Sequence, residues 1–140
     1  QDPGNAGTLV RTAAWFGADA VVAGPGTVDL FNPKVVRAAM GGLWDVRLAH
    51  TDDLAALLAG LRARGFACYG ADLDGTPSRA WQPRRPSVLV LGSEAHGLSP
   101  AVRDALDERV AIPGAPERRG AESLNVGVAA GILLYEWLGE

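Results

Sequence analysis

From Ser87 to Leu91 the chain is a continuous apolar run that ends at Gly92. A strand with no polar alternation is covered on both faces, and a parallel sheet between helices provides that cover. The segments around it alternate between helix-like and strand-like patterns, which also points to an α/β fold with a parallel sheet. A helix is expected over 7–16, closed by Gly17, and a short strand over 18–23. Asn32-Pro33 is a helix start, with Asn as cap and Pro in the first turn, and Gly41-Gly42 ends that helix. A strand follows over 44–49. Thr51-Asp52-Asp53 then caps a helix with Leu54, Leu57, Leu58 and Leu61 on one face, ended by Gly65. Strands are expected over 66–71 and 109–112, and Ser99-Pro100 opens a short helix to about Leu106. The stretch 72–86, with Pro77, Pro83 and Pro86, is expected to be irregular.

Two polar loops follow apolar strands. They are Leu-Gly-Ser-Glu-Ala-His-Gly at 91–97, and 112–125, which starts at Ile112-Pro113 and ends in Ser123-Leu124-Asn125. Gly, Pro, Ser and Asn at the ends of buried strands leave backbone N–H and C=O groups free to reach a small molecule. A third loop, Asp2-Pro3-Gly4-Asn5-Ala6-Gly7, precedes the helix that carries Arg11. Together the three loops imply a cofactor pocket with an arginine facing it.

Each of these residues also has a plainer role. Asn5 fits a helix cap and Arg11 a solvated side chain; alternatively, the planar guanidinium of Arg11 grips a phosphate or carboxylate through two parallel hydrogen bonds. Glu94, directly after a buried strand, is either solvated or paired with a ligand, and Gly92 and Gly97 favour close approach of a ligand to the backbone. His96 fits an exposed loop histidine better than a base. Ser123 and Asn125 are good caps for the last helix. Arg118 and Arg119 suit a phosphate or solvent equally. Metal is not expected, because His50, His96 and Cys68 have no ligand spacing. There is no Walker lysine, and Gly24-Pro25-Gly26 is not a dinucleotide fingerprint.

A length of 140 residues suits one domain that buries about 68–70% of its unfolded surface. A net charge of −3 gives no global attraction to a polyanion, so an RNA partner would need a local basic surface or another subunit. The single Cys68 rules out an internal disulfide, fits a reducing, cytoplasmic compartment, and lies in an apolar run as a buried thiol would. No apolar run is long enough to span a membrane. The last helix, 124–138, is apolar nearly all round, from Leu124 to Leu138, which fits half of a subunit interface better than a wholly internal position.

Taken jointly, three segments resemble the motifs of the SpoU (TrmH) family of RNA ribose 2′-O-methyltransferases, within the SPOUT superfamily. Asp2-Pro3-Gly4-Asn5-Ala6-Gly7-Thr8-Leu9-Val10-Arg11-Thr12-Ala13 resembles motif 1, and Leu89-Val90-Leu91-Gly92-Ser93-Glu94-Ala95-His96-Gly97-Leu98 resembles motif 2. Ile112-Pro113 with Ser123-Leu124-Asn125-Val126-Gly127-Val128-Ala129-Ala130 resembles motif 3, with Gly127 where the family often has Ser. The resemblance covers essentially the whole chain. It implies an α/β fold, a parallel sheet flanked by helices whose C-terminal part is a deep trefoil knot, an exception to general topology rules.

The resemblance further implies S-adenosylmethionine in the knot and a homodimer through 124–138. The cofactor would be held around Leu91, Gly92, Glu94, Gly97, Ile112, Pro113, Ser123, Leu124 and Asn125. Arg11 matches the catalytic arginine, and Asn5, Glu94, Ser123 and Asn125 match the other polar active-site positions. A guanidinium holds its protons, so Arg11 is expected to bind the phosphate beside the target ribose rather than act as the base. RNA is the implied partner, with ribosomal RNA favoured over tRNA. The strand that normally precedes motif 1, and the N-terminal RNA-binding domain of many members, are expected to lie outside 1–140. The alternative is a knotted RNA-binding or assembly module without turnover.

Overall fold

A computed structural model of the chain describes residues 2–27, 29–42, 45–93, 96–117, 120 and 123–139. The fold has two compact units, Gln1–Leu54 with Ala130–Glu140, and Ala55–Ala129. The strand pairs of both are parallel, as expected, but the strand at Ser87–Val90 lies at the edge of its sheet and is half-buried except at Val90, so the expected cover on both faces is only partial. The hydrogen-bonded strands form two sheets, one in each unit.

In the first unit, helix α1 (Pro3–Trp15) starts four residues before the expected Gly7. Asp2 is its cap: Oδ1 accepts from the N–H of Gly4 at 2.7 Å and of Asn5 at 3.4 Å. Pro3 then occupies the first helical position, where no N–H is needed. Helix α2 (Pro33–Ala39) starts as expected, with Asn32 Oδ1 accepting the Lys34 N–H at 2.9 Å. The two helices touch at Gly7. A Cβ there would overlap the Ala38 Cβ and come within 2.8 Å of the Val35 carbonyl oxygen. That approach lets Ala6, Val10, Val35 and Ala39 close a core with Ala23, Leu30 and Val46. Strands β1 (Ala20–Ala23) and β2 (Arg47–His50) pair in register from Ala20↔Arg47 to Ala23↔His50. The strand expected over 44–49 is therefore seen at Arg47–His50, and Trp44 lies outside the described residues.

In the second unit, helix α3 (Leu54–Ala63) buries Leu58, and strand β3 (Ala67–Pro77) lies between β4 (Ser87–Val90) and β5 (Glu108–Ala111). β3 runs six residues beyond the expected end at Ala71. The extension holds because a bulge resets its register: Ala71 and Thr76 both face Val110. Gly75 is needed inside the bulge, since a Cβ there would sit 2.5 Å from the Arg109 carbonyl carbon and the Val110 nitrogen. Asp72 ties the bulge down. Its Oδ2 accepts from Arg103 Nη2 and Arg109 Nη1, each at 3.2 Å, and its Oδ1 accepts the Asp74 N–H at 3.3 Å. Burial pushes the Asp72 carboxyl up, but the Asp74 amide, the Arg109 hydrogen bond and the two guanidiniums outweigh it and hold it below the usual carboxylate value.

Cys68 is buried as expected, and its thiol is pushed up by burial and by the Asp107 charge, opposed by Arg62. Its backbone trades hydrogen bonds with Asp107: the Cys68 N–H donates to Oδ2 and the Asp107 N–H to the Cys68 carbonyl, both at 2.7 Å. Helix α4 (Pro100–Asp104) is capped by Ser99 Oγ, which accepts the Val102 N–H at 3.2 Å. Helix α5 spans Val126–Leu138, two residues shorter at its start than expected.

Three outcomes follow. Gly7→Ala should cost about 1–3 kcal/mol in urea unfolding, because backbone must give way to the added methyl. Gly60→Ala, in exposed α3 with nothing within 4 Å of the new Cβ, should instead stabilise by about 0.5–1 kcal/mol. Asp72 has a depressed folded-state value, so its contribution is present above the unfolded carboxylate value near about 3.9 and is lost as pH falls through the folded one. Asp72→Asn should therefore lower stability by about 1–2 kcal/mol at pH near 7, and the gap to wild type should close in acid-side unfolding curves.

Candidate active site

The motif residues fall in both units. In the first, Asn5 stands in the opening turn of α1, half-buried, and is not the cap; Asp2 takes that role because the helix starts earlier than its Gly-rich beginning implies. Arg11 is exposed further along α1, and its Nη1 donates to Met40 Sδ at 2.8 Å. Arg11 lines an open depression of about 420 Å³ with Thr8, Thr12 and Trp15. The Thr12 hydroxyl is turned back onto the Thr8 carbonyl at 2.7 Å, and the Trp15 ring is 83% exposed. Sequence reasoning passed over Trp15, although its place four residues after Arg11 puts the two on one helix face. It also passed over Met40, whose proximity to Arg11 is a tertiary fact.

In the second unit the strand order β4-β3-β5 is decisive. All three run parallel, so Leu91, one residue past β4, and Ile112, one residue past β5, lie at the same carboxyl edge on either side of β3. Ligands of open parallel α/β sheets bind outside that edge. The loop after Leu91 folds back on itself. Gly97 N–H donates to the Ser93 carbonyl at 2.8 Å, and His96 N–H to Ser93 Oγ at 3.1 Å. Gly97 has φ 63°, and a Cβ on Gly92 would come within 2.6 Å of the Gly97 carbonyl oxygen. Gly92 is required for the turn to close, because a Cβ would meet backbone, and the left-handed φ at Gly97 favours glycine there. His96 enters the turn through its backbone N–H.

Pro113, Ser123, Leu124 and Asn125 are exposed, and Ile112 is half-buried. Asn125 Oδ1 accepts from the N–H of Gly127 at 2.8 Å and Val128 at 3.2 Å, so it caps α5. Glu94, Arg118 and Arg119 lie outside the described residues. Among the described residues no cluster of His, Cys, Asp or Glu could hold a metal ion. Along α5 and just before it, Leu124, Val128, Ile132 and Tyr135 form an exposed apolar row at helical spacing.

Comparison with known proteins agrees with the motif pattern. Residues 1–135 match the SpoU rRNA Methylase family. The chain is 39% identical over 140 residues to the 23S rRNA (guanosine(2553)-2′-O)-methyltransferase RlmP of Bacillus subtilis, covering 99% of this chain and 55% of the relative. A solved structure of a putative RNA methyltransferase of the TrmH family from Porphyromonas gingivalis superposes with a TM-score of 0.91 at 44% identity, over 98% of this chain and 55% of that one. The SpoU methyltransferase AviRb of Streptomyces viridochromogenes, solved with AdoMet, gives a TM-score of 0.86 at 30% identity, over 96% of this chain and 52% of that one. The chain thus spans about half the length of the relatives it matches. On the match over 1–135 and the shared α/β architecture, the chain belongs to the SpoU rRNA methylase family.

Proposed function

We propose that this chain is the catalytic part of an S-adenosylmethionine-dependent enzyme that methylates a ribose 2′-hydroxyl of RNA. The observation that carries the proposal is the self-closing Gly92–Gly97 turn at the carboxyl edge of the β4-β3-β5 sheet, in a family whose relatives include 2′-O-methyltransferases and an AdoMet-bound structure. Ribosomal RNA is favoured over tRNA, in line with the RlmP relative, and the location is cytoplasmic. The C-terminal segment is proposed to be threaded as the trefoil knot of the SPOUT fold. A homodimer is proposed through α5, supported by its exposed apolar row from Leu124 to Tyr135. Residues 1–140 would form the methyltransferase domain, with a preceding strand and an RNA-binding domain elsewhere in the protein.

Backbone and side chains at Leu91, Gly92, Glu94, Gly97, Ile112, Pro113, Ser123, Leu124 and Asn125 would hold the methyl donor. When bound, S-adenosylmethionine supplies an electrophilic methyl group on a sulfonium, whose departure as a neutral thioether makes displacement favourable. The ribose hydroxyl is a weak nucleophile and must shed its proton as the new C–O bond forms. Arg11 cannot take that proton, because a guanidinium has none of its nitrogens free to accept. It would instead clamp the neighbouring phosphate, which orients the hydroxyl and lies within reach to receive its proton. Asn5, Glu94, Ser123 and Asn125 are the other polar residues proposed to take part in the reaction. The cap made by Asn125 Oδ1 fixes the direction of its side chain.

Calorimetry on the full-length protein with S-adenosylmethionine should detect binding; its absence would favour a knotted assembly module instead. Mapping of 2′-O-methyl sites in total RNA, with and without the gene, should reveal a lost site. Arg11→Ala should lower turnover about 10²-fold with S-adenosylmethionine affinity unchanged, and Arg11→Lys should recover only part of it, since an ammonium cannot make the bidentate contact. Near-normal turnover in both variants at saturating RNA and cofactor would sink the role given to Arg11.

A further inference from the structure

Arg11 is gripped at two places by the turn that ends α2. At its tip, Nη1 donates to Met40 Sδ at 2.8 Å. At its root, a Cβ on Gly42 would lie 3.0 Å from the Arg11 Cα and 3.5 Å from its nitrogen, so this turn lies against the α1 backbone at Arg11 itself. Between these contacts the turn is costly to form. Met40 has φ 49° and ψ 47°, the one positive φ outside glycine among the described residues. A helix normally places glycine, or sometimes asparagine, in such a left-handed position, because a Cβ crowds the following carbonyl there. Packing does not explain the methionine, since its side chain is 68% exposed. A thioether is also a weak acceptor, so the bond adds little to folding. Strained, exposed and aimed at a functional group, the residue has the marks of a positioning device.

We propose that Met40 is a positioning residue for the RNA methyl-transfer reaction. Its sulfur holds one edge of the Arg11 guanidinium, so that the remaining donors meet the phosphate of the RNA in a fixed direction. A weak, polarisable acceptor suits this task. It limits the sweep of a long side chain without competing with a phosphate anion, as a carboxylate would. The proposal rests on the phosphate-binding role given to Arg11 above.

The test uses the full-length protein, tritiated S-adenosylmethionine and total RNA from cells lacking the gene. Met40→Leu keeps the bulk and the strained backbone but removes the acceptor. Met40→Gly relaxes the turn and also removes it. Both should lower kcat about tenfold, with KM for S-adenosylmethionine unchanged, and Met40→Gly should do so with an equal or higher melting temperature. In an Arg11→Lys background, Met40→Leu should have no further effect. The ¹³C-methyl signal of Met40, assigned by its loss in Met40→Leu, should shift in Arg11→Lys. If Arg11→Ala is inactive while both Met40 variants keep wild-type kcat, the positioning role is overturned and the Arg11 role stands. If Arg11→Ala keeps full activity, both fall together.

Discussion

The approach of α1 to the α2 turn sets the geometry of the first unit. Gly7 lets the two helices touch at Ala38, and Gly42 lets the chain after α2 lie against Arg11. With any side chain at these points the helices would stand further apart, and Val10, Val35 and Ala39 would lose the close packing that buries them completely. The same contact lies beside Arg11, whose exposed side chain emerges next to the α2 turn. A helix capped by Asp2 and seated on α2 thus carries an exposed guanidinium with the Met40 sulfur against it.

The second unit is organised by its central strand. β3 is hydrogen-bonded on both sides, and the two loops of interest leave its neighbours at one edge. The bulge at Gly75 and the Asp72 carboxylate, shared by Arg103 and Arg109, keep β3 paired to β5 well beyond the point where its composition turns polar. The edge that receives the Gly92–Gly97 turn is therefore built on strands whose register is locked from both sides.

Much of the fold could be read from local chemistry. Asn32-Pro33 and Ser99-Pro100 mark helix starts because a side-chain oxygen and a fixed φ act within three residues of each other. The strand at 87–90 and the glycine-bounded loop after it were evident for the same reason: hydrophobic runs and turn residues act over a few positions. The start of α1 was missed because Pro3 and Gly4 resemble a loop, until Asp2 is seen to cap them. The length of β3 was missed because Asp72, Asp74 and Pro77 are poor strand formers, held extended only by pairing with β5.

For the candidate site, the sequence by itself determined the residue types and their order: Asn5 and Arg11 on one helix, glycines around position 94, and Ser123 to Asn125 before an apolar helix. Those features depend on neighbours a few residues away, so they survive without a fold. The tertiary structure alone decided that Leu91 and Ile112 share a sheet edge, that Gly7 rather than a bulkier residue must face Ala38, and that Met40 meets Arg11. Each joins residues about twenty to thirty positions apart, and such a contact appears only once strand order and helix packing have brought distant backbone into touch.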